Sequence, residues 1–511
     1  MKTSTTLLAT TALLLTFFGG VAWSFEGGYK ARSWLMMPSG ASPNDQTTTT
    51  PNDHTPLKAF PTAEGFGKYA SGGRGGRVVE VTSLDDSGPG SLRWALTEAA
   101  TDSATIVFRV TGIITLQKDI RARLHHVTIA GQTAPGQGIL YRGGKLNLGG
   151  SKNVIIRNLR GRIGLRDDRD FIKGGSIGIE NADTIIIDHC CFGWSGEENM
   201  TVYDNHYTTV QWCIVHEGLY NAGHQKGNRS YGCQWGGSPA TFHHNLLAHN
   251  YNRSARLNGA SNPSQDRNVF MEYQNNVNYN WGKPNSCYGG ENEAGPGSTH
   301  ECNFIGNYYK PGPATPDSSH FVQLSQARKG KTLTGPSHWY FSGNVMEHNR
   351  HATRHNWQAI DNLTGFALAQ LRSDTLLSHS TLQGSAFTFD SYRTTAESAR
   401  KAYRHVLKRA GTINRDTVEQ RIVDEVEHGT ARYKGSLGRP GFIDSPADAE
   451  GWPQYPVVPP LPDGDHDGMP DDWEKEHNLN PNDPEDRNTL TKAGYTALEV
   501  YMNSLMGEQT P

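Results

Sequence analysis

Short β-branched runs recur along most of this 511-residue chain, and asparagine or glycine follows most of them. "TIVFRVTG" begins at 105, "VTIAGQ" at 127, "NVIIRNLRG" at 153 and "TIIIDHC" at 184. "TTVQWCIV" follows at 208, "TFHHNLLAHN" at 241, "VFMEYQNNV" at 269, "HECNFIGNYY" at 300 and "HWYFSGNV" at 338. Intervals of roughly 22 to 38 residues are typical of solenoids, where each repeat buries its apolar face only by stacking on its neighbours. The pattern predicts an all-β fold, a right-handed parallel β-helix whose coils each lay short strands on the coil before. Asparagine suits the bends, because it tolerates the left-handed region and its amide can hydrogen-bond from coil to coil. A propeller would show a more constant repeat, and a sandwich does not usually need this many strands. Loops of variable length leaving one face would build a groove.

The segments around this array read differently. "MKTSTTLLATTALLLTFFGGVAWS" has a short positive start, an apolar stretch from Leu7 to Phe18 and small residues at Ala22 and Ser24. That is the pattern of a secretory signal peptide over 1–24, too short in its apolar part for a membrane span. The mature protein is therefore expected to be secreted, at the cell surface or beyond it, and without a membrane span. Residues 25–55 are a polar Thr/Asn/Pro tract expected to be a flexible linker. The solenoid should occupy 56–390, and 391–456 a helical extension packed on its outside. In that extension "YRTTAESARKAYRHVLKRAGTINRDTVEQRIVDEVEHG" shows helical spacing, with Gly411 as a stop between two helices. The tail, 457–511, opens on the proline linker "VVPPLP". Its "DGDHDGMPDDWE" places Asp463, Asp465, Asp467, Asp471 and Glu474 at positions 1, 3, 5, 9 and 12 of a twelve-residue loop. Gly468 falls at position 6 and Met469 would offer its carbonyl, which is the pattern of an EF-hand-like calcium loop. A structural role as a calcium-tied cap or attachment module is expected. Six cysteines suit an exported protein; Cys287 with Cys302 is a plausible pair, while Cys190, Cys191 and Cys213 sit in strand-like runs as candidate buried thiols.

Net charge is only −3, so no global field points to nucleic acid or membrane, and recognition of an anion has to be local. One stretch stands out. "HHNLLAHNYNRSARLNG", 243–259, carries three histidines, four asparagines, Arg253 and Arg256, with no acid. A basic, amide-rich segment of this kind faces an anion.

Several long motifs, in order over residues 59 to 312, carry a resemblance. They are "AFPTAEGFG", "ASGGRGGRVVEVTSLDDSGPGSLRWAL", "TIAGQTAPGQGI", "NVIIRNLRGR", "IIIDHCCFGWSGEEN" and "FHHNLLAHNYNRSAR". Together they resemble the pectate lyase family, polysaccharide lyase family one, and "GFIDSPADAEGWP" resembles bacterial members. The resemblance implies a parallel β-helix enzyme, acting as a monomer, that cleaves α-1,4-galacturonan (pectate) by β-elimination with Ca2+ as cofactor. Elimination removes the proton on C5 beside the uronate carboxylate, so cations must neutralise that anion and the enolate-like charge that develops. By motif, Arg253 matches the family's catalytic arginine, proposed as the Brønsted base, although arginine holds its proton tightly. Lys226, in "GHQKG", matches the basic residue that meets the substrate carboxylate. Arg256, His224, His243 and His244 are candidate groove residues.

The calcium set thins relative to the family. Glu197, with Glu198 as the neighbouring alternative, falls at the first carboxylate ligand, Thr201 at the second, and Gly175 and Ser176 near the third. Asp167, Asp168, Asp170 and Asp204 are possible substitutes, while Asp188 is expected to be structural. Two other functions compete. A β-helix glycoside hydrolase needs two carboxyl groups about 5 Å or about 6.5–9.5 Å apart, and a polysaccharide-binding solenoid needs Arg253 and Lys226 to be idle. Within the lyase reading, methylated pectin or another uronate polymer is an alternative substrate.

Overall fold

In the computed structural model the described residues are 56–164, 174–258, 268–290, 299–317, 319–324, 337–362, 373–378 and 389–511. The expected signal peptide, the linker and Asp167, Asp168 and Asp170 lie outside them. Residues 56–511 form one compact unit.

The strands assemble into three parallel sheets of ten, nine and nine strands, wound as a right-handed parallel β-helix. The first sheet runs from Arg77–Val81 to Ser337–Ser342, the second from Gly112–Thr115 to Val345–Met346, and the third from Ile120–Arg121 to Ile360–Asn362. Each coil visits the three in that order. Because the coils stack in register, like side chains lie over like. One interior column of the first sheet reads Ile106, Ile129, Ile156, Ile187, Val210, Phe242, Tyr273, Phe304 and Phe341. All nine are buried, so the core changes from aliphatic to aromatic along its axis.

The corner between the first and second sheets follows the asparagine chemistry. Asn158, His189, Trp212, His244 and Asn275 hold left-handed φ near 50–57° on successive coils. The next residue in later coils is asparagine. The Asn245 N–H donates to Asn276 Oδ1 (3.0 Å), that of Asn276 to Asn307 (2.9 Å) and that of Asn307 to Asn344 (2.9 Å). The ladder replaces water at buried amides, which would otherwise cost a lost hydrogen bond each. Stacking at this corner also brings the His189, Trp212 and His244 rings face to face.

The two expected helices are Ala399–Arg409 and Thr417–His428. Val406, Ile422 and Val426 pack on Ile214, Leu246 and Val277 of the second sheet. Beneath them Arg160 and Arg162 are fully buried. Arg160 meets Glu419 at 2.6 Å and Arg162 meets Asp416 at 2.6 Å, the latter also capping the second helix. The tail packs on the solenoid too. Met469, Leu498, Tyr501 and Met502 cover Ala130 and Val78, while Arg109 reaches Asp463 (3.4 Å) and Arg74 reaches Glu499 (2.8 Å).

The Cys287–Cys302 pairing does not form: all six cysteines are free and buried. Cys287 lies on the third sheet and Cys302 on the first, and the Cys287 thiol instead donates to the Ser254 carbonyl at 2.8 Å. Among the described residues, no helix is long and apolar enough to cross a membrane.

Candidate active-site groove

The outer face of the third sheet presents a row of aligned residues: Gly178, Thr201, Gln234, Arg256 and Tyr288, one per coil. Their neighbours Val202, Trp235 and Leu257 point into the core, so strand alternation turns this row outward. The connections from the second to the third sheet rise beside it and supply the charged groups.

Arg253 ends one such connection with φ 60°. Its guanidinium sits 4.5 Å above the Tyr231 ring and 5.9 Å from Tyr288. Nη1 donates to Glu198 Oε1 and, at 3.3 Å, to Gln234 Oε1. Arg256 lies next to it, over Tyr288 at 5.7 Å and with Nη1 3.5 Å from the same Gln234 oxygen. Arg229 also lies against the Tyr231 ring, 4.2 Å from its centroid, and donates to Glu197 Oε1 at 3.1 Å. His224 Nε2 meets that oxygen at 2.5 Å. Lys226 is exposed on the same connection, its backbone N–H donating to His224 Nδ1.

Arg253, Arg256, Lys226 and His224 are therefore carried on the third-sheet side of the solenoid. His243 is not, and its expected place in the groove is corrected. It ends the Ala240–His243 strand at the asparagine corner, buried, with Nε2 3.2 Å from Gln211 and Nδ1 2.8 Å from His244. Burial pushes its pKa down to about 3, so the ring is neutral. His244, lowered likewise to about 3 by burial, lines a cavity of about 1200 Å3 at that corner with His189, Trp212, Glu397 and Arg409. This cavity is not the groove, which lies open along the third sheet. Asp188 is structural as expected: against burial, which raises it, His189 and Arg157 hold its carboxyl below the usual range.

Glu197, Glu198 and Thr201 are not gathered into one ligand set. Glu198 faces Arg253, Glu197 faces Arg229 and His224, and Thr201 brings only a hydroxyl. A Cβ on Gly175 would lie 2.0 Å from the Glu198 carbonyl oxygen, so no longer side chain fits there. Ser176 is buried, its hydroxyl bonded to the Gly193 carbonyl and to Ser195. Among the described residues the groove therefore does not fit a calcium cage, and no group of three metal-ligating side chains occurs in it.

The tail differs. Asp463, Asp465 and Asp467 bring carboxylate oxygens within 4.8 Å of one another, and so do Asp467, Glu474 and Asp486. Glu474 is fully buried and neither of its oxygens has a partner; Asp463 Oδ1, both Asp465 oxygens, Asp467 Oδ2 and Asp486 Oδ1 are also buried and unpartnered. Burial and mutual repulsion push Asp467 up to about 7 and Glu474 up to about 8. Uncompensated buried carboxylates are costly, and a hard dication removes the cost. The donor set fits calcium. Asp471 departs from the expected set: its Oδ1 accepts from the Gly464 N–H at 2.7 Å, outside both groups. The Met469 side chain joins the apolar contact with the solenoid, and its N–H donates to Asp467. Asp486 was not foreseen, because it lies outside the twelve-residue loop, in the turn that follows it.

A solenoid with a cation-lined open groove is the architecture of a protein that handles anionic polymers. No family model matches the chain. It is 32% identical over 464 residues to "Probable pectate lyase C" of Aspergillus fumigatus, covering 88% of this chain and 94% of the relative. The protein of the same name from Neosartorya fischeri is 32% identical over 468 residues, with the same coverage. The chain belongs to the pectate lyase family. Among solved structures, Jun a 1, the major allergen from cedar pollen, is 16% identical over 69% of this chain and 93% of its own, with a TM-score of 0.46.

Proposed function

We propose that this chain is a secreted pectate lyase that cleaves α-1,4-galacturonan by β-elimination. A base at the open groove, solvent water included, takes the proton from C5, the C4–O4 bond breaks, the C4–C5 double bond forms and the departing oxygen takes up a proton from solvent. The observation that carries this reading is Arg253, fixed above Tyr231 by Glu198 and Gln234 within a row of cations. A preorganised guanidinium there stabilises the negative charge that grows on the uronate carboxylate as C5 is deprotonated. The Glu198 pair supports a charged, electrostatic Arg253 in preference to one that gives up its proton. Lys226, exposed on the adjoining connection, supplies a second cation for the carboxylate, and Arg256 one for a neighbouring uronate.

Calcium is assigned to the tail. Asp463, Asp465, Asp467, Glu474 and Asp486 would hold it, and its chemistry there is to neutralise those carboxylates and tie the tail together. The hydrolase alternative is weakened by Glu197 and Glu198 both facing arginines, since neither is placed as a neutral general acid.

Polygalacturonate treated with the protein should yield 4,5-unsaturated oligouronides, read by near-ultraviolet absorbance. Reducing ends appearing without that absorbance would mean hydrolysis and overturn the elimination.

A further inference from the structure

We propose that residues 433–444, which follow the second helix, build a distal subsite for a uronate carboxylate at the rim of the groove, centred on Arg439, Lys283 and Tyr251. The proposal rests on the polyuronate reading above and extends it to a segment outside the solenoid.

The segment folds back on itself. The Gly435 N–H donates to the Phe442 carbonyl and the Gly441 N–H to the Tyr433 carbonyl, both at 2.7 Å, with Gly438 left-handed at the exposed tip. It docks on the connections that carry the groove residues. The Tyr220 N–H donates to the Ile443 carbonyl (2.8 Å), that of Asn221 to Asp444 Oδ1 (2.8 Å), and Asn280 Nδ2 to the Pro440 carbonyl (3.0 Å). Phe442 closes an aromatic group with Tyr220 and Tyr251 at 5.7 and 5.6 Å. This docking brings Arg439 to 5.4 Å from the Tyr251 ring, while Lys283 approaches the same ring at 5.2 Å.

Charge also favours this place. Arg253 and Arg229 in the groove, and Arg160, Arg162 and Arg421 under the helices, each face a carboxylate. Arg439 and Lys283 face none among the described residues. Two uncompensated cations beside a half-buried tyrosine offer charge for a carboxylate and an apolar face for a sugar ring. The place is continuous with the groove, because Tyr251 stands two residues before Arg253 and its N–H is held by Ser230, next to Tyr231. A polymer bound at Arg253 and leaving the groove on this side meets Arg439 next.

The test compares the wild type with Arg439→Ala, Lys283→Ala, the double variant and Arg439→Lys. Initial rates are read on long polygalacturonate and on trigalacturonate, and mobility is read in gels containing polygalacturonate, which needs no turnover. On the polymer, KM should rise about two- to fivefold per substitution, the scale of one partly exposed ion pair, with kcat unchanged. Mobility retardation should fall in parallel, trigalacturonate should be unaffected, and Arg439→Lys should be the mildest change. Unchanged polymer KM and mobility would overturn the subsite. So would an equal loss on trigalacturonate or a loss in kcat, which would mark 433–444 as a brace only. If the wild type releases no unsaturated product but the variants still lose retardation, the lyase reading fails and the subsite stands.

Discussion

Arg253 and its partners set the smallest scale. Lysine at this position keeps the charge but loses the planar fork that spans Glu198 and Gln234. Arg253→Lys should lower kcat on polygalacturonate about a hundredfold or more, on the order of 3 kcal/mol, with little change in KM; near-full turnover would place the chemistry elsewhere in the groove. A second residue is informative through pH. Glu272 is buried on the outer face of the first sheet, between the core residues Met271 and Tyr273, and burial raises its carboxyl to about 7, against the pull of Arg393. Between the ordinary carboxylate value and about 7 the folded protein holds a proton that the unfolded chain has released, so Glu272 lowers stability as pH rises through that window. Glu272→Gln should therefore change little at pH 4, and by pH 8 should stabilise by up to about 3 kcal/mol, measured by denaturant unfolding at both pH values. Motif order in the sequence singles out Arg253 and Arg256, which the fold sets side by side over Gln234. It could not find Arg229, Gln234 or Tyr231, since nothing in "NRSYGCQW" shows which side chains share a coil height with Arg253. It misplaced His243 because a histidine pair reads alike at a buried corner and at a groove.

Among the elements, the helix pair does more than cover the second sheet. Arg421 of the Thr417–His428 helix makes two hydrogen bonds to Glu217, at 2.8 and 2.9 Å, and Glu217 starts the connection that carries His224, Lys226 and Arg229. Arg421→Met should leave Glu217 buried without its arginine, held only by Trp194 Nε1 (2.9 Å) and His216 Nδ1 (3.2 Å), and cost about 3–5 kcal/mol, seen as a lower unfolding midpoint, with polygalacturonate turnover falling as the connection loosens. The asparagine ladder makes a second case. Asn276→Ala removes the acceptor of the Asn245 N–H and should cost about 1–3 kcal/mol, whereas an alanine at exposed Asn482 should cost almost nothing by the same measurement. The helices were legible because apolar residues recur at helical spacing. The ladder was legible because asparagine follows the strands. The buried arginines were not: "RNLRGR" reads as a solvated edge until Asp416 and Glu419 come down on it from the helix.

For the whole molecule, the tail is the least separable part. The sequence suggested a cap or attachment module beyond a proline linker, yet its helix covers Ala130 and Val78, and Glu508 meets buried Arg157. A chain ending at Pro459 should therefore unfold at a lower temperature than the full chain. Calcium should raise the full chain's Tm in proportion to the logarithm of its concentration above Kd, and Asp467→Asn with Glu474→Gln should abolish that rise; an unchanged response would remove calcium from the tail. The loop's carboxylate spacing was readable because those positions are local in sequence, and the approach of Asp486 was not, because it arrives from another turn. The register of the coils has a different kind of consequence. Asn245, Asn276 and Asn307 recur at intervals of 31 residues, and each coil advances the axis by about 4.8 Å. Groove length is thus a matter of copy number. A one-residue deletion within a strand would turn the side chains beyond it on that strand inside out, while the gain or loss of one entire coil would leave the pattern intact and move the rim by a single step. A lineage of such chains can lengthen or shorten the solenoid's own grip on a polymer by counting in whole turns, whatever the segments docked on it add.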